Sequence, residues 1–135
     1  MFNFDIIEKQ ISKRLQIFFA HQATAANIDP ARMQLIISPE NNTVVAFIYE
    51  SGRLVKNLEL KAIAESFGKE FDQKKVQDVY NYLLEKAKAD EIKLENLNVV
   101  ICENKGRMSA YVYDSTTFKR KIKAMELLNI FYFSR

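Results

Sequence analysis

The sequence predicts an α+β fold: a single domain over residues 1–135, in which a mainly antiparallel sheet of about five strands packs with N-terminal, central and C-terminal helices. Three observations carry this. Between Met33 and Leu60, three apolar-rich runs follow one another, separated by Pro39-Glu40-Asn41-Asn42 and by Ser51-Gly52. Short β-branched and aromatic runs broken by Pro, Asn and Gly are the pattern of antiparallel strands joined by tight turns. A second pair of such runs flanks Asn104-Lys105-Gly106-Arg107, and the remaining segments space their apolar residues three and four apart. Only one connection between strands is long enough for a parallel crossover, which argues against a doubly wound sheet.

Taken in order, Asn3 to about Gln22 carries Phe4, Ile7, Ile11, Leu15, Phe18 and Phe19 on the stripe of an amphipathic helix. Asp5 and Glu8 stand in capping-box relation at its start. Ala23–Asn27 reads as a connector, and Asp29-Pro30 opens a single helical turn with Asp as cap and Pro in the first position. A three-strand meander follows at Met33–Ser38, Thr43–Glu50 and Arg53–Leu58. In its middle strand Val45, Phe47 and Tyr49 fall on one face, and Val44, Ala46 and Ile48 on the other. Both faces are apolar. Such a ribbon needs cover twice: helices on one side, and another helix, a second sheet or a partner chain on the other.

Asn57 or Glu59 then opens a short helix with Leu60, Ile63, Ala64 and Phe67 on one face, ended by Gly68. From Phe71 and the cap candidate Asp72 runs the most strongly patterned helix, its stripe of Val76, Val79, Tyr80, Leu83 and Ala87 opposed by Lys74, Lys75, Asp78, Asn81, Glu85 and Lys88. Leu97–Glu103 and Met108–Asp114 form a hairpin in which Gly106 is free to take the left-handed position. Asp114-Ser115-Thr116-Thr117 offers caps for a last helix that turns Phe118, Ile122, Met125 and Leu128 or Asn129 inward. Phe131-Tyr132-Phe133 leaves the C-terminus aromatic. No internal repeat and no low-complexity segment is visible in the residues.

With 48% hydrophobic and 27% charged residues, three Gly and two Pro in 135, the composition is that of an ordered globular protein large enough to bury a core without disulfides or metal. The one cysteine, Cys102, lies in the apolar run Leu97–Cys102, so no internal disulfide is available and a reducing, cytoplasmic setting is expected. No signal peptide and no run of about 18 apolar residues is present, so no membrane span is expected. The net charge of +3 names no partner, but its distribution is uneven. Residues 1–68 hold seven acids and seven bases, whereas from Lys105 onward seven basic residues face only Asp114 and Glu126.

A search for catalytic chemistry returns no constellation. His21 stands alone, with no Cys pair or acidic cluster at ligand spacing, so neither a metal nor another cofactor is expected. The apolar context of Cys102 raises a thiol's pKa and opposes pairing with His21 as a nucleophile. Gly52, Gly68 and Gly106 are each isolated at a turn, which leaves no phosphate-cradling loop. Glu50, Glu103 and Asp114 sit at strand ends, where exposed charge is the ordinary outcome. The chain is not expected to be an enzyme.

Two features point to nucleic acid. Leu60-Lys61-Ala62-Ile63-Ala64-Glu65-Ser66-Phe67-Gly68 resembles the opening helix of a helix-turn-helix, and residues 60–113 place a second helix and a hairpin after it, as a winged version would. Lys119, Arg120, Lys121 and Lys123, with Lys105 and Arg107 and the nearby Tyr111 and Tyr113, interleave cations with aromatics as phosphate-binding and base-stacking surfaces do. Lys105-Gly106-Arg107 before Tyr111-Val112-Tyr113 also resembles an RNA-recognition strand. A basic C-terminal helix that binds nucleic acid is thus one expectation.

Excess apolar surface supports the other. Adjacent aromatics such as Phe18 and Phe19 leave a helix in different directions, and with Phe131, Tyr132 and Phe133 they are candidates for contact with a partner. The order of helix, three-strand meander, central helix, hairpin and terminal helix resembles that of the small dimeric chaperones of specialised secretion systems, which implies binding to a client without catalysis. The preferred expectation is a non-catalytic protein–protein interaction module, chaperone- or adaptor-like and homodimeric, with contact through the sheet or the terminal helices.

Overall fold

In the computed structural model, residues 4–66, 73–104 and 107–122 are described. They form α1 (Phe4–Ala26), β1 (Met33–Glu40), β2 (Thr43–Glu50), β3 (Arg53–Leu58), α2 (Leu60–Ser66), α3 (Gln73–Ala89), β4 (Leu97–Asn104), β5 (Arg107–Asp114) and β6 (Thr117–Ile122). Single 3₁₀ turns at Pro30–Arg32 and Leu94–Asn96 lead into β1 and β4. The six strands make one antiparallel sheet in the order β3-β2-β1-β4-β5-β6. The α+β class and the antiparallel sheet therefore stand, with six strands rather than about five.

Local chemistry explains the boundaries. Asp29 caps the first 3₁₀ turn, its Oδ1 accepting from the Ala31 amide at 2.9 Å with Pro30 in the first turn, as its order predicts. The turn after β1 is shorter than expected: only Asn41 and Asn42 lie between the strands, at φ 50° and 63°. Two left-handed residues make the turn whose twist matches its strands, and asparagine tolerates that conformation. Pro39 consequently falls inside β1, beyond the stretch Gln34–Ile37 that pairs with β4, where its missing amide breaks no ladder to that side. Ser51 and Gly52 close the next hairpin in the same manner, at φ 49° and 84°. α1 runs four residues past Gln22, because Ala23, Ala25 and Ala26 extend a helix readily and only Asn27 turns left-handed.

One core holds the molecule together. From α1 come Leu15, Phe18, Phe19 and Ala23, from α2 Leu60 and Ile63, and from α3 Val76, Val79, Leu83 and Ala87. They meet Met33, Leu35 and Ile37 of β1, Val44, Ala46 and Ile48 of β2, Leu97, Val99 and Ile101 of β4, and Ala110, Val112 and Ile122 of β5 and β6. Every second residue of each inner strand thus faces the helices, and Leu35, Ile37, Ile48, Val99, Ile101 and Val112 are fully buried. Each contributes about 1.5–3 kcal/mol of transfer free energy.

The expected last helix is not formed over its first turns: 117–122 is β6, paired with β5 from Ala110 to Asp114. Phe118 and Ile122, four apart, suit a helical stripe, and the strand hides because Lys119 is an extra residue in a β-bulge between the pairs Val112–Arg120 and Tyr113–Phe118. The bulge puts Phe118 on one face and Ile122 on the other, which erases the alternation that marks a strand.

The backbone is duplicated, although the residues give no sign of it. Residues 27–58 and 91–122 carry the same elements 64 positions apart without a gap. α1 and α3 end alike, with Asn27 and Glu91 left-handed at φ 58° and 56°. The amide of Ile28 donates to Ala23 O and that of Ile92 to Ala87 O, both at 2.9 Å, the signature of a Schellman cap. Ser51 N donates to Arg32 O and Ser115 N to Asn96 O, again 64 apart. β3 and β6 are bulged at the matching residues Val55 and Lys119. At the seam, β1 pairs with β4 so that Ile36 faces Val100, its own counterpart, which sets a pseudo-twofold axis through that pair and normal to the sheet. No helix among the described residues is long and apolar enough to cross a membrane.

Candidate functional site

Since the three described helices pack on one side of the sheet, its other side is the surface with chemistry left to explain. Alternation assigns it Gln34, Ile36 and Ser38 of β1, Val45, Phe47 and Tyr49 of β2, Asn98, Val100 and Cys102 of β4, and Ser109, Tyr111 and Tyr113 of β5. The edge strands add Leu54 and Phe118. Among the described residues no helix and no second sheet lies over this outer face. The middle strand, apolar on both sides as its sequence states, is covered once by described elements, with Val45, Phe47 and Tyr49 half-buried among their neighbours.

The face has an apolar centre and a polar surround. Ile36 and Val100 sit on the pseudo-twofold axis, and Phe47 and Tyr111 stand beside them in the ladder. Towards β6, Phe118 meets Tyr111 and Tyr113 edge to face, both ring centroids 5.9 Å away. Offset or T-shaped pairs of this kind add about 0.5–1.5 kcal/mol beyond their buried area. Phe118 is nonetheless 53% exposed and Leu54, its counterpart 64 positions earlier, 55%. Ile17 of α1, away from this face, is exposed to a similar degree, 48%. Ser38 Oγ donates to Asn98 Oδ1, and Asn98 Nδ2 donates to Ser115 O at 3.2 Å, which satisfies polar groups at one margin.

Cys102 belongs to this face, paired in register with Gln34 and Ser109. Burial among these neighbours disfavours the thiolate and pushes the thiol's pKa above its ordinary value. An activated nucleophile would be shifted the other way. Among the described residues no three His, Cys, Asp or Glu converge as a metal site. On the helical side, a hollow of about 460 Å³ between the Asn41-Asn42 turn and the second 3₁₀ turn is lined by Pro39, Tyr80, Lys93, Leu94 and Glu95 as well as the two asparagines. Tyr80 Oη donates to Asn42 Oδ1 there at 3.3 Å, and no pair of hydrogen-bonded acid and base lines it.

The expected site residues are dispersed. Phe18 and Phe19 are 3% and 1% exposed, both taken up by the core rather than presented to a partner. Phe131, Tyr132 and Phe133 lie outside the described residues, as do Lys105 and Lys123. Lys119, Arg120 and Lys121 belong to an edge strand and point different ways: Lys119 is in the bulge, Lys121 pairs with Tyr111 on the outer face, and Arg120 turns to the helical side. There the Arg120 Nε donates to both Asp90 oxygens at 3.2 Å. Arg107 is exposed where β5 begins. The β4–β5 hairpin after α3 is no free wing, because β4 is a central strand bonded to β1. Nothing in the sequence marks Leu54, Ile36, Val100 and Phe118 individually as residues of this face. The strict alternation of Val45, Phe47 and Tyr49, repeated in Tyr111 and Tyr113, is the signal that leads to their face.

No protein family, no curated protein and no solved structure matches this chain.

Proposed function

We propose that the chain is a non-catalytic protein–protein interaction module, adaptor- or chaperone-like and resident in the cytoplasm, which binds protein through the outer face of its sheet. The supporting observation is that face itself: six strands wide, with Phe47, Tyr49, Tyr111 and Tyr113 along its inner strands, and with Leu54 at one edge and Phe118 at the other, each more than half exposed. Contiguous apolar patches of several hundred Å² on a folded domain are interaction sites far more often than idle surface. Aromatic residues in the middle with Ser, Asn and Gln around them match the anatomy of recognition surfaces, which are apolar and charge-poor at the core and polar at the rim.

The test uses Leu54→Lys with Phe118→Lys in the full chain, two positions exposed enough that the fold tolerates a charge. Wild-type and doubly substituted protein serve as baits in host extract, with far-UV circular dichroism as the control for folding. Protein retained by the wild type, whether another copy of this chain or a different one, is expected to be lost from the variant. An identical retained set for both would refute binding at this face.

A further inference from the structure

We infer that the β5–β6 margin of the sheet binds a single strand of nucleic acid, with its phosphates on Arg107, Lys119 and Lys121 and a base against the ring of Phe118. The duplicated backbone supplies an internal control. Shifted by 64 positions, Thr43, Val55 and Asn57 occupy in the first half the sites that Arg107, Lys119 and Lys121 occupy in the second. The fold therefore builds the same margin with no cation at any of the three. Leu54 likewise stands where Phe118 does. Charges that one copy of the backbone omits and the other carries are not required by the backbone.

Edge protection does not account for them either. Lysine and a bulge guard an exposed edge against strand addition, and β3 has both while its outer side stays neutral. Arg53 and Lys56 are in register with Glu50 and Ile48, on the helical side, which leaves Leu54 and Asn57 outside. Arg107 is not on an edge strand, since β5 lies between β4 and β6.

The placement of the charges suits an extended polyanion. Arg107 falls opposite Asn104 and Lys121 opposite Tyr111, both on the outer side, and Lys119 is exposed in the bulge. The acids of these strands fall on the other side, with Glu103 opposite Met108 and Asp114 opposite Leu97. From the level of Tyr113 and Phe118 to that of Arg107 the margin runs roughly 20 Å at about 3.3 Å per residue. The cations thus follow an edge rather than converge on a point, as in grooves that track a phosphate backbone. At one end Phe118, 53% exposed, is held edge to face by Tyr111 and Tyr113. Every base has a face that stacks on such a ring, whereas an acidic protein segment would use the cations alone. The buried centre of the face, Val100 and Ser109, takes no part, nor does Leu54 at the opposite edge, so this site stands or falls independently of protein binding.

The test is fluorescence anisotropy of a labelled oligothymidylate of about 12 nucleotides, titrated with the full chain between about 50 and 200 mM salt. The wild type is expected to bind, more weakly as salt rises. Arg107→Thr/Lys119→Val/Lys121→Asn installs the residues that the first half holds, so circular dichroism is expected to be unchanged. Its affinity is expected to fall at least about tenfold, and its slope of log K against log salt to flatten by about 2, since each phosphate contact to a single strand contributes about 0.7. Phe118→Leu keeps every charge; its affinity is expected to fall at least about fivefold at an unchanged salt slope. A wild type that leaves the oligonucleotide free at the lowest salt overturns the inference, as does a triple variant that binds as tightly as the wild type. Full affinity in Phe118→Leu removes the stacked base and overturns the choice of nucleic acid. Displacement by polyglutamate of equal charge, as efficient as by unlabelled oligothymidylate, overturns it too and identifies an acidic protein segment as the occupant.

Discussion

Cys102 shows how one side chain reports on its surroundings. Its strand neighbours keep it partly out of water, which disfavours the thiolate and raises the pKa. Alkylation requires the thiolate, so the rate of reaction with iodoacetamide should climb with pH along a curve displaced to higher pH than that of the same chain unfolded in denaturant. The sign for stability follows: a folded-state pKa above the unfolded one favours the fold while the thiol stays protonated, and this contribution fades as pH rises through the folded-state pKa in the alkaline range. Measured alkylation profiles that coincide would show that the thiol is not shielded in the fold. At this scale the sequence was informative, since the apolar run Leu97–Cys102 predicts the direction of the shift. It was uninformative for Phe18 and Phe19. Adjacent helical residues diverge by about 100°, but α1 is wedged deeply enough that both rings find the core.

Whole elements differ in legibility for a physical reason, namely whether their period survives. α3 keeps Val76, Val79, Leu83 and Ala87 on one stripe and was legible outright; β6 was not, because the bulge at Lys119 shifts its alternation by one. In a helix over 117–122, Lys119, Arg120 and Lys121 would crowd its positive start. As a strand, the same residues are distributed, and Arg120 reaches Asp90 just past the end of α3. An acid there opposes the helix dipole by about 0.3–1 kcal/mol, and the ion pair, with side chains 35% and 16% exposed, returns about the same. Asp90→Ala should therefore change global stability by no more than about 0.5 kcal/mol in a denaturant titration, while it loosens a side-chain tie between β6 and the end of α3. Hydrogen exchange is the discriminating measurement. Amides of β6 are expected to exchange faster in the variant while those of β3 are unchanged, since the matching positions there, Ala26 and Lys56, never form such a pair. Unaltered protection of β6 would mean that backbone pairing to β5 holds the edge unaided.

For the molecule as a whole, the governing fact is the duplication about Ile36 and Val100, and it was invisible in the residues because geometry was kept where identity was not. Across 27–58 and 91–122 only Ile28, Ile37, Ala46, Tyr49 and Ser51 recur, as Ile92, Ile101, Ala110, Tyr113 and Ser115. What the two halves share is instead the paired register of their strands and two left-handed positions, Asn27 with Glu91 and Ser51 with Ser115, and several chemistries satisfy one conformation: Asn27 and Glu91 adopt it with different side chains. Each half, a helix followed by three strands, ends at the seam with an apolar strand whose partner is in the other half. A half alone exposes that strand's edge and the apolar helical side around it, an arrangement prone to pairing with whatever strand is offered. Fragments 1–68 and 69–135, produced together, should consequently copurify in equal amounts and recover the circular dichroism of the intact chain. Fragment 1–68 produced alone should self-associate through β1, more weakly, because Ile36 would then meet a second Ile36 rather than the smaller Val100 it packs beside. Recovery of two monomeric fragments that ignore one another would show that the α2–α3 connection, and not the symmetric seam, is what unites the halves.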